Sequence, residues 1–80
     1  MKRMNLTVYT KKDCWWCEDL LSFLRVKKVN FEEREVLSNV VYYEEMMDLS
    51  GQKKAPTVVI DGIVYADTDK DIIGKILNIN

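Results

Sequence analysis

Cys14 and Cys17 are the residues of this chain best suited to chemistry, with Trp15 and Trp16 between them. Two thiols at this spacing can carry out disulfide exchange. One attacks a disulfide to form a mixed disulfide, and the other attacks that mixed disulfide and releases the reduced partner. If the pair opens a helix, the first cysteine lies among unpaired backbone amides at the positive end of the helix dipole, where an anion is favoured. Cys14 is then the expected nucleophile and Cys17 the resolving thiol. Lys11 and Lys12 would add positive potential, which Asp13 opposes.

Other readings use the same two residues. Free cysteines often serve as core residues, which suits Cys17 better than Cys14 at a strand-to-helix junction. A Cys-x-x-Cys also begins zinc ribbons, but a closed zinc site takes four ligands, and the chain has 2 Cys and 0 His. Only an oligomer, or thiolates supplied by glutathione, would complete a zinc or iron–sulfur site, so no metal site is expected within one chain. The lack of histidine also removes imidazole catalysis. Motif and context favour redox work.

Eighty residues make one domain, spanning 1–80. Acidic and basic residues are interleaved, 13 against 12, for a net charge of −1, which gives no electrostatic reason to expect nucleic acid or an anionic membrane. No run approaches the roughly 18 apolar residues of a membrane span. The basic start, Met1-Lys2-Arg3-Met4-Asn5, leads into Leu6-Thr7-Val8-Tyr9, too short and polar for a signal-peptide core. A reducing, cytoplasmic setting is the expectation.

The elements that must position the thiols can be read from periodicity. Met4 to Thr10 alternates as a strand. From Cys14 to about Lys28 the spacing is helical, with Asp13 as the expected N-cap and Cys17, Leu20, Leu21 and Leu24 on one face. Val29 to about Val36 reads as an edge strand crowded with charge. A second helix is expected from about Asn39 to Ser50, capped by Ser38, with Val40, Tyr43, Met47 and Leu49-Ser50 at helical intervals and Gly51 at its C′ position. Thr57–Ile60 and Ile63–Ala66 flank an Asp61-Gly62 hairpin turn. A last helix, Thr68 to Leu77, is expected to turn Ile72, Ile73, Ile76 and Leu77 inward, with Thr68 and Asp71 as a capping-box-like pair. The order β-α-β-α-β-β-α implies an α/β fold with a four-stranded mixed sheet and helices on its faces.

Val8-Tyr9-Thr10-Lys11, then Cys14-Trp15-Trp16-Cys17, and later Ala55-Pro56-Thr57-Val58-Val59-Ile60-Asp61-Gly62 resemble the glutaredoxin family of thioredoxin-fold proteins over nearly the whole chain. The resemblance implies a cis Pro56 that holds its loop beside the cysteines, so that the Ala55 backbone can pair with a bound peptide or glutathione. It also implies that Lys11, Lys53 and Lys54 face one glutathione carboxylate, while Thr68 and Asp69 match positions contacting the γ-glutamyl end. Two departures stand out. Trp15 and Trp16 replace the family's common Pro and Tyr between the cysteines, placing at least one indole on the recognition surface. Ala66-Asp67 stands where glutathione-using members carry a glycine pair, and Asp67 adds a side chain and a negative charge there.

The expected activity is thiol-disulfide exchange by a monomer that reduces disulfide-containing client proteins or glutathione mixed disulfides. No tightly bound cofactor is expected. Glutathione serves as reductant or substrate, and thioredoxin reductase is the donor if the protein is an NrdH-type redoxin. Iron–sulfur cluster binding or delivery is the alternative of another class.

Overall fold

β1, Leu6–Thr10, is the central strand of the sheet, and its alternating side chains divide the core in two. Leu6 and Val8 point to one face, and Tyr9 points to the other. The computed structural model describes residues 5–79. After β1 come α1 (Trp15–Val26), β2 (Glu32–Glu35), α2 (Val40–Ser50), β3 (Thr57–Ile60), β4 (Ile63–Tyr65) and α3 (Lys70–Leu77). The sheet order is β2-β1-β3-β4, with β2 parallel to β1 across α1 and β3 antiparallel to both β1 and β4. The α/β fold and the element order expected from sequence are those observed.

Register explains the first core. Leu6 lies opposite Ile60, and Val8 lies opposite Val58, so these four present one apolar face. Leu20, Leu21 and Leu24 of α1 and Ile73 of α3 cover it. Each such side chain, fully buried, contributes about 1.5–3 kcal/mol of transfer free energy. The opposite face holds Tyr9, Val36 and Met46, with Tyr42, Tyr43 and Val59 packed against them. The β3–β4 turn has positive φ at both Asp61 (49°) and Gly62 (87°), as a two-residue hairpin turn requires.

Several boundaries and faces differ from the sequence reading. β2 is shorter than Val29–Val36, because Val29 and Phe31 pack onto the first core as irregular chain. β4 ends at Tyr65 rather than Ala66. β1 begins at Leu6, and Met4 lies outside the described residues. α2 is capped by Asn39, whose side chain accepts from the Val41 and Tyr42 amides, because Ser38 is engaged with Glu35. Its buried residue is Met46, flanked by Tyr42 and Tyr43, whereas Val40 is 68% exposed and Leu49 is 47% exposed. Apolar residues surround this helix on all sides, so its periodicity selects no face. α3 is capped by Asp69 through the Ile72 amide at 2.9 Å, not by Thr68. It seats Ile73 and Leu77, one turn apart, on the first core and leaves Ile72 and Ile76 exposed. Gly51 does end α2 with a left-handed φ of 69°, as glycine allows. Among the described residues no helix is long and apolar enough to cross a membrane.

Candidate functional site

The chain leaves β1 at Thr10 and reaches the start of α1 in three residues. Asp13 takes a left-handed φ of 59°, so it forms the turn and does not cap the helix. Cys14 is the N-cap instead. Its backbone is extended (φ −106°, ψ 102°), and its Sγ accepts the Cys17 amide at 3.3 Å. The Cys14 carbonyl accepts from the Glu18 amide at 3.1 Å, closing the first turn. Sulfur thus takes the place that an Asp, Asn or Ser oxygen usually fills.

The two thiols are free and occupy different surroundings. Cys14 is partly exposed, and Cys17 is buried with 1% of its surface accessible. Burial, reinforced by the neighbouring Cys14 sulfur, pushes the Cys17 thiol up to about 12, against a partial opposing effect of the Lys11 backbone amide. Cys17 belongs to the buried stripe continued by Leu20, Leu21 and Leu24, so the packing that seats α1 also buries the second thiol.

Trp15 and Trp16 are 62% and 55% exposed. Their rings lie against each other with centroids 4.4 Å apart and planes tilted by 36°, within the range of favourable aromatic pairs. Trp16, Lys11, Lys54, Ala55 and Asp67 line an open groove of about 280 Å³, near the lower end of the ~300–1,000 Å³ of small-ligand sites. Lys54 Nζ lies 3.8 Å from Asp67 Oδ2, both side chains being well exposed, so this ion pair is worth under about 1 kcal/mol.

Two sets of hydrogen bonds shape the walls of the groove. The Ala55–Pro56 peptide is cis, and the Pro56 carbonyl accepts from the Thr68 amide at 3.0 Å, which joins the proline loop to the start of α3. Gln52 pins the same loop from the other side. Its Nε2 donates to the Lys54 carbonyl at 3.3 Å, and its Oε1 accepts the Lys54 amide. The Thr57 hydroxyl also donates to the Lys54 carbonyl, at 2.9 Å.

Of the residues singled out from sequence, Lys11, Trp16, Lys54, Ala55 and Asp67 meet in the groove, which reaches the first turn of α1 at Trp16. Lys53 is exposed, and Pro56 is buried beneath the loop. Thr68 is buried with its hydroxyl unpartnered, and the Asp69 carboxylate is occupied as the α3 cap. Asp67 has a left-handed φ of 50°, a conformation that costs glycine nothing and aspartate little among side-chain-bearing residues. Gln52 and Glu35 went unnoticed in the sequence. Glu35 accepts the Lys12 amide at 3.1 Å. The only local signal for it was Ser38 three residues on, whose amide it also holds at 2.9 Å.

A glutaredoxin family model matches residues 6–64. Glutaredoxin 3 of Escherichia coli K12 is 35% identical over 57 residues, which cover 71% of this chain and 69% of that protein. A glutaredoxin-like 8.6 kDa protein of the Clostridium pasteurianum rubredoxin operon is 29% identical over 72 residues, 90% of this chain and 96% of the relative. Among solved structures, the thioredoxin-like protein BC3987 superposes with a TM-score of 0.79 at 31% identity, covering 94% of this chain and 99% of its own. Escherichia coli NrdH-redoxin shares the fold with a TM-score of 0.73 at 21% identity, covering 89% and 92%. With its Cys-x-x-Cys at the opening of α1, the chain belongs to the glutaredoxin family, a family of thiol-disulfide oxidoreductases.

Proposed function

We propose that the protein is a dithiol electron carrier that reduces disulfides of client proteins, or mixed disulfides with glutathione, through Cys14 and Cys17. The observation that carries this reading is the asymmetry of the pair. Cys14 is accessible at the helix opening with an amide directed at its sulfur, whereas Cys17 is buried and holds its proton up to about pH 12.

In this reading the Cys14 thiolate attacks one sulfur of the client disulfide. A Cys14–client S–S bond forms, the client's own S–S bond breaks, and the client's other sulfur leaves and takes up a proton. Cys17 then gives up its proton and attacks the Cys14 sulfur. The Cys14–Cys17 disulfide forms and the second client thiol departs. The client gains two electrons and two protons, which the cysteine pair loses. The groove lined by Trp16 and Ala55 receives the residues flanking the client cysteine.

Two thiols of glutathione, or a dithiol reductase, would return the electrons. The position of Asp67 favours the second. Its carboxylate lies in the groove beside Lys54, where it opposes an anionic tripeptide and occupies a cation that would otherwise attract one. The corresponding reading is an NrdH-type redoxin supplied by thioredoxin reductase. The protein would act as a monomer in a reducing compartment such as the cytoplasm, without a tightly bound cofactor.

The test is NADPH-coupled reduction of a disulfide-bonded protein, run with glutathione plus glutathione reductase beside thioredoxin reductase. Cys14→Ser should abolish turnover, and Cys17→Ser should accumulate a mixed disulfide visible by mass spectrometry. Inactivation by Cys17→Ser alone would reverse the assignment. Anaerobic purification should yield a colourless monomer with both thiols titratable; a brown, iron-containing dimer would favour cluster delivery instead.

A further inference from the structure

Glu35 ends β2 directly opposite Thr10, the last residue of β1. The two strands finish together there, the Val36 amide still donating to the Thr10 carbonyl at 2.8 Å. Beyond this point the chain has only residues 11–13 in which to turn into Cys14, and the Glu35 carboxylate reaches across to them. Its Oε2 accepts the Lys12 amide at 3.1 Å and the Leu37 amide at 2.8 Å. Its Oε1 accepts the Ser38 amide at 2.9 Å and the Ser38 hydroxyl. One side chain thus joins the loop that carries Cys14 to the loop that opens α2. The Ser38 hydroxyl first, and the three amides with it, hold this carboxylate below its ordinary proton affinity.

The neighbouring amide of the same loop, that of Lys11, faces the Cys17 sulfur and lowers its proton affinity. Successive amides therefore face Glu35 and Cys17, and the next residue, Asp13, is in the left-handed turn that delivers Cys14. Motion at Lys12 reaches both thiols through one peptide on one side and one residue on the other. We infer that Glu35 is a positioning residue for the redox pair: by holding the Lys12 amide it sets the geometry of the Lys11 amide at Cys17 and of the turn into Cys14. A carboxylate suits this place because four donors converge on its two oxygens. A carboxamide would turn its own N–H donors toward some of them.

The inference rests on the reading of Cys14 and Cys17 as a redox pair, and the experiment separates the two. Wild type, Glu35→Gln and Glu35→Ala are equilibrated with reduced and oxidised dithiothreitol. Cys14 alkylation by iodoacetamide and exchange of the Lys12 amide are followed by mass spectrometry and NMR. In Glu35→Gln, Lys12 amide protection is expected to fall at least tenfold. The dithiol–disulfide equilibrium constant should move at least threefold, with a matching change in Cys14 alkylation rate. A purely structural role would lower the unfolding midpoint and leave that constant in place.

A folded Glu35→Gln with wild-type equilibrium and alkylation overturns the inference. Should neither variant fold, Lys12 amide exchange in reduced and oxidised wild type decides it: different protection supports the coupling and equal protection overturns it. If the wild type forms no Cys14–Cys17 disulfide at all, the redox reading itself fails.

Discussion

On the face of the sheet covered by α1 and α3, the buried side chains are aliphatic, Leu6, Val8, Leu20, Leu21, Leu24, Val58, Ile60 and Ile73, with Phe23, Phe31 and Tyr65 packed at their edge. On the face covered by α2 the contacts are aromatic and charged. The Tyr9 hydroxyl donates to Glu45 at 3.0 Å, Arg34 Nη1 lies 2.5 Å from the same carboxylate, and the Arg34 guanidinium sits over the Tyr9 and Tyr42 rings at 5.8 and 5.4 Å. The redox helix is therefore seated by close packing, which tolerates little displacement. The far helix is held by directional polar contacts that are partly open to water. The contrast assigns precision to the side that carries the thiols and adaptable attachment to the other.

The largest effect is expected at Leu20, fully buried in the aliphatic core. Leu20→Ala should cost about 2–5 kcal/mol in urea unfolding, and it should slow disulfide reduction because the stripe it shares with Cys17 loosens. On the α2 face, Arg34→Ala leaves Glu45 and the Tyr9 hydroxyl without their cation. It should cost about 1–3 kcal/mol, lessened by the partial exposure of the pair, and leave disulfide reduction near the wild-type rate. If Arg34→Ala impaired turnover as much as Leu20→Ala, the division of labour between faces would be wrong.

The buried thiol makes the α1 side sensitive to pH. With Cys17 buried and its proton affinity raised from an ordinary 9.0 to about 12, the folded state holds a proton that the unfolded chain releases. Stability attributable to this group is full below pH 9.0 and declines as pH rises toward about 12. Chemical denaturation of the reduced protein across that window, compared with Cys17→Ala, should show a decline that the variant lacks. The smallest effect is expected at Val40, 68% exposed on α2: Val40→Ser should change stability by no more than about 0.5 kcal/mol. A larger loss would show that this face is covered.

The aliphatic side was legible in the sequence, and the polar side much less so. Cys17, Leu20, Leu21 and Leu24 recur at helical spacing among charged residues, and each is buried as that spacing implies. In α2 the apolar residues Val40, Val41, Met47 and Leu49 surround the helix, so only the contact with Tyr9 and Val36 decides that Met46 faces inward. Asp13 has the residue type of a helix N-cap, but the cap is the Cys14 sulfur one residue later, and Asp13 forms the left-handed turn. Lys11 and Trp16 stand out beside the Cys-x-x-Cys itself, whereas Lys54 and Ala55, about 40 residues on, join them only after folding and are indicated in the sequence by the family resemblance. Glu35 and Gln52 act by hydrogen-bonding loop backbone, a role that depends on tertiary placement and leaves no periodic signature.

The stacked indoles make the redox end optically addressable. Trp15 and Trp16 are the chain's 2 tryptophans, their ring centroids lie 4.4 Å apart, and the two cysteines flank them on either side in sequence. Tryptophan emission therefore comes from a single place, and sulfur chemistry next to it is positioned to quench it. Two coupled chromophores at this separation would also give a paired circular-dichroism signal. Dithiol, disulfide and client-bound states can then be followed in the unlabelled protein, with no dye attached near Cys14.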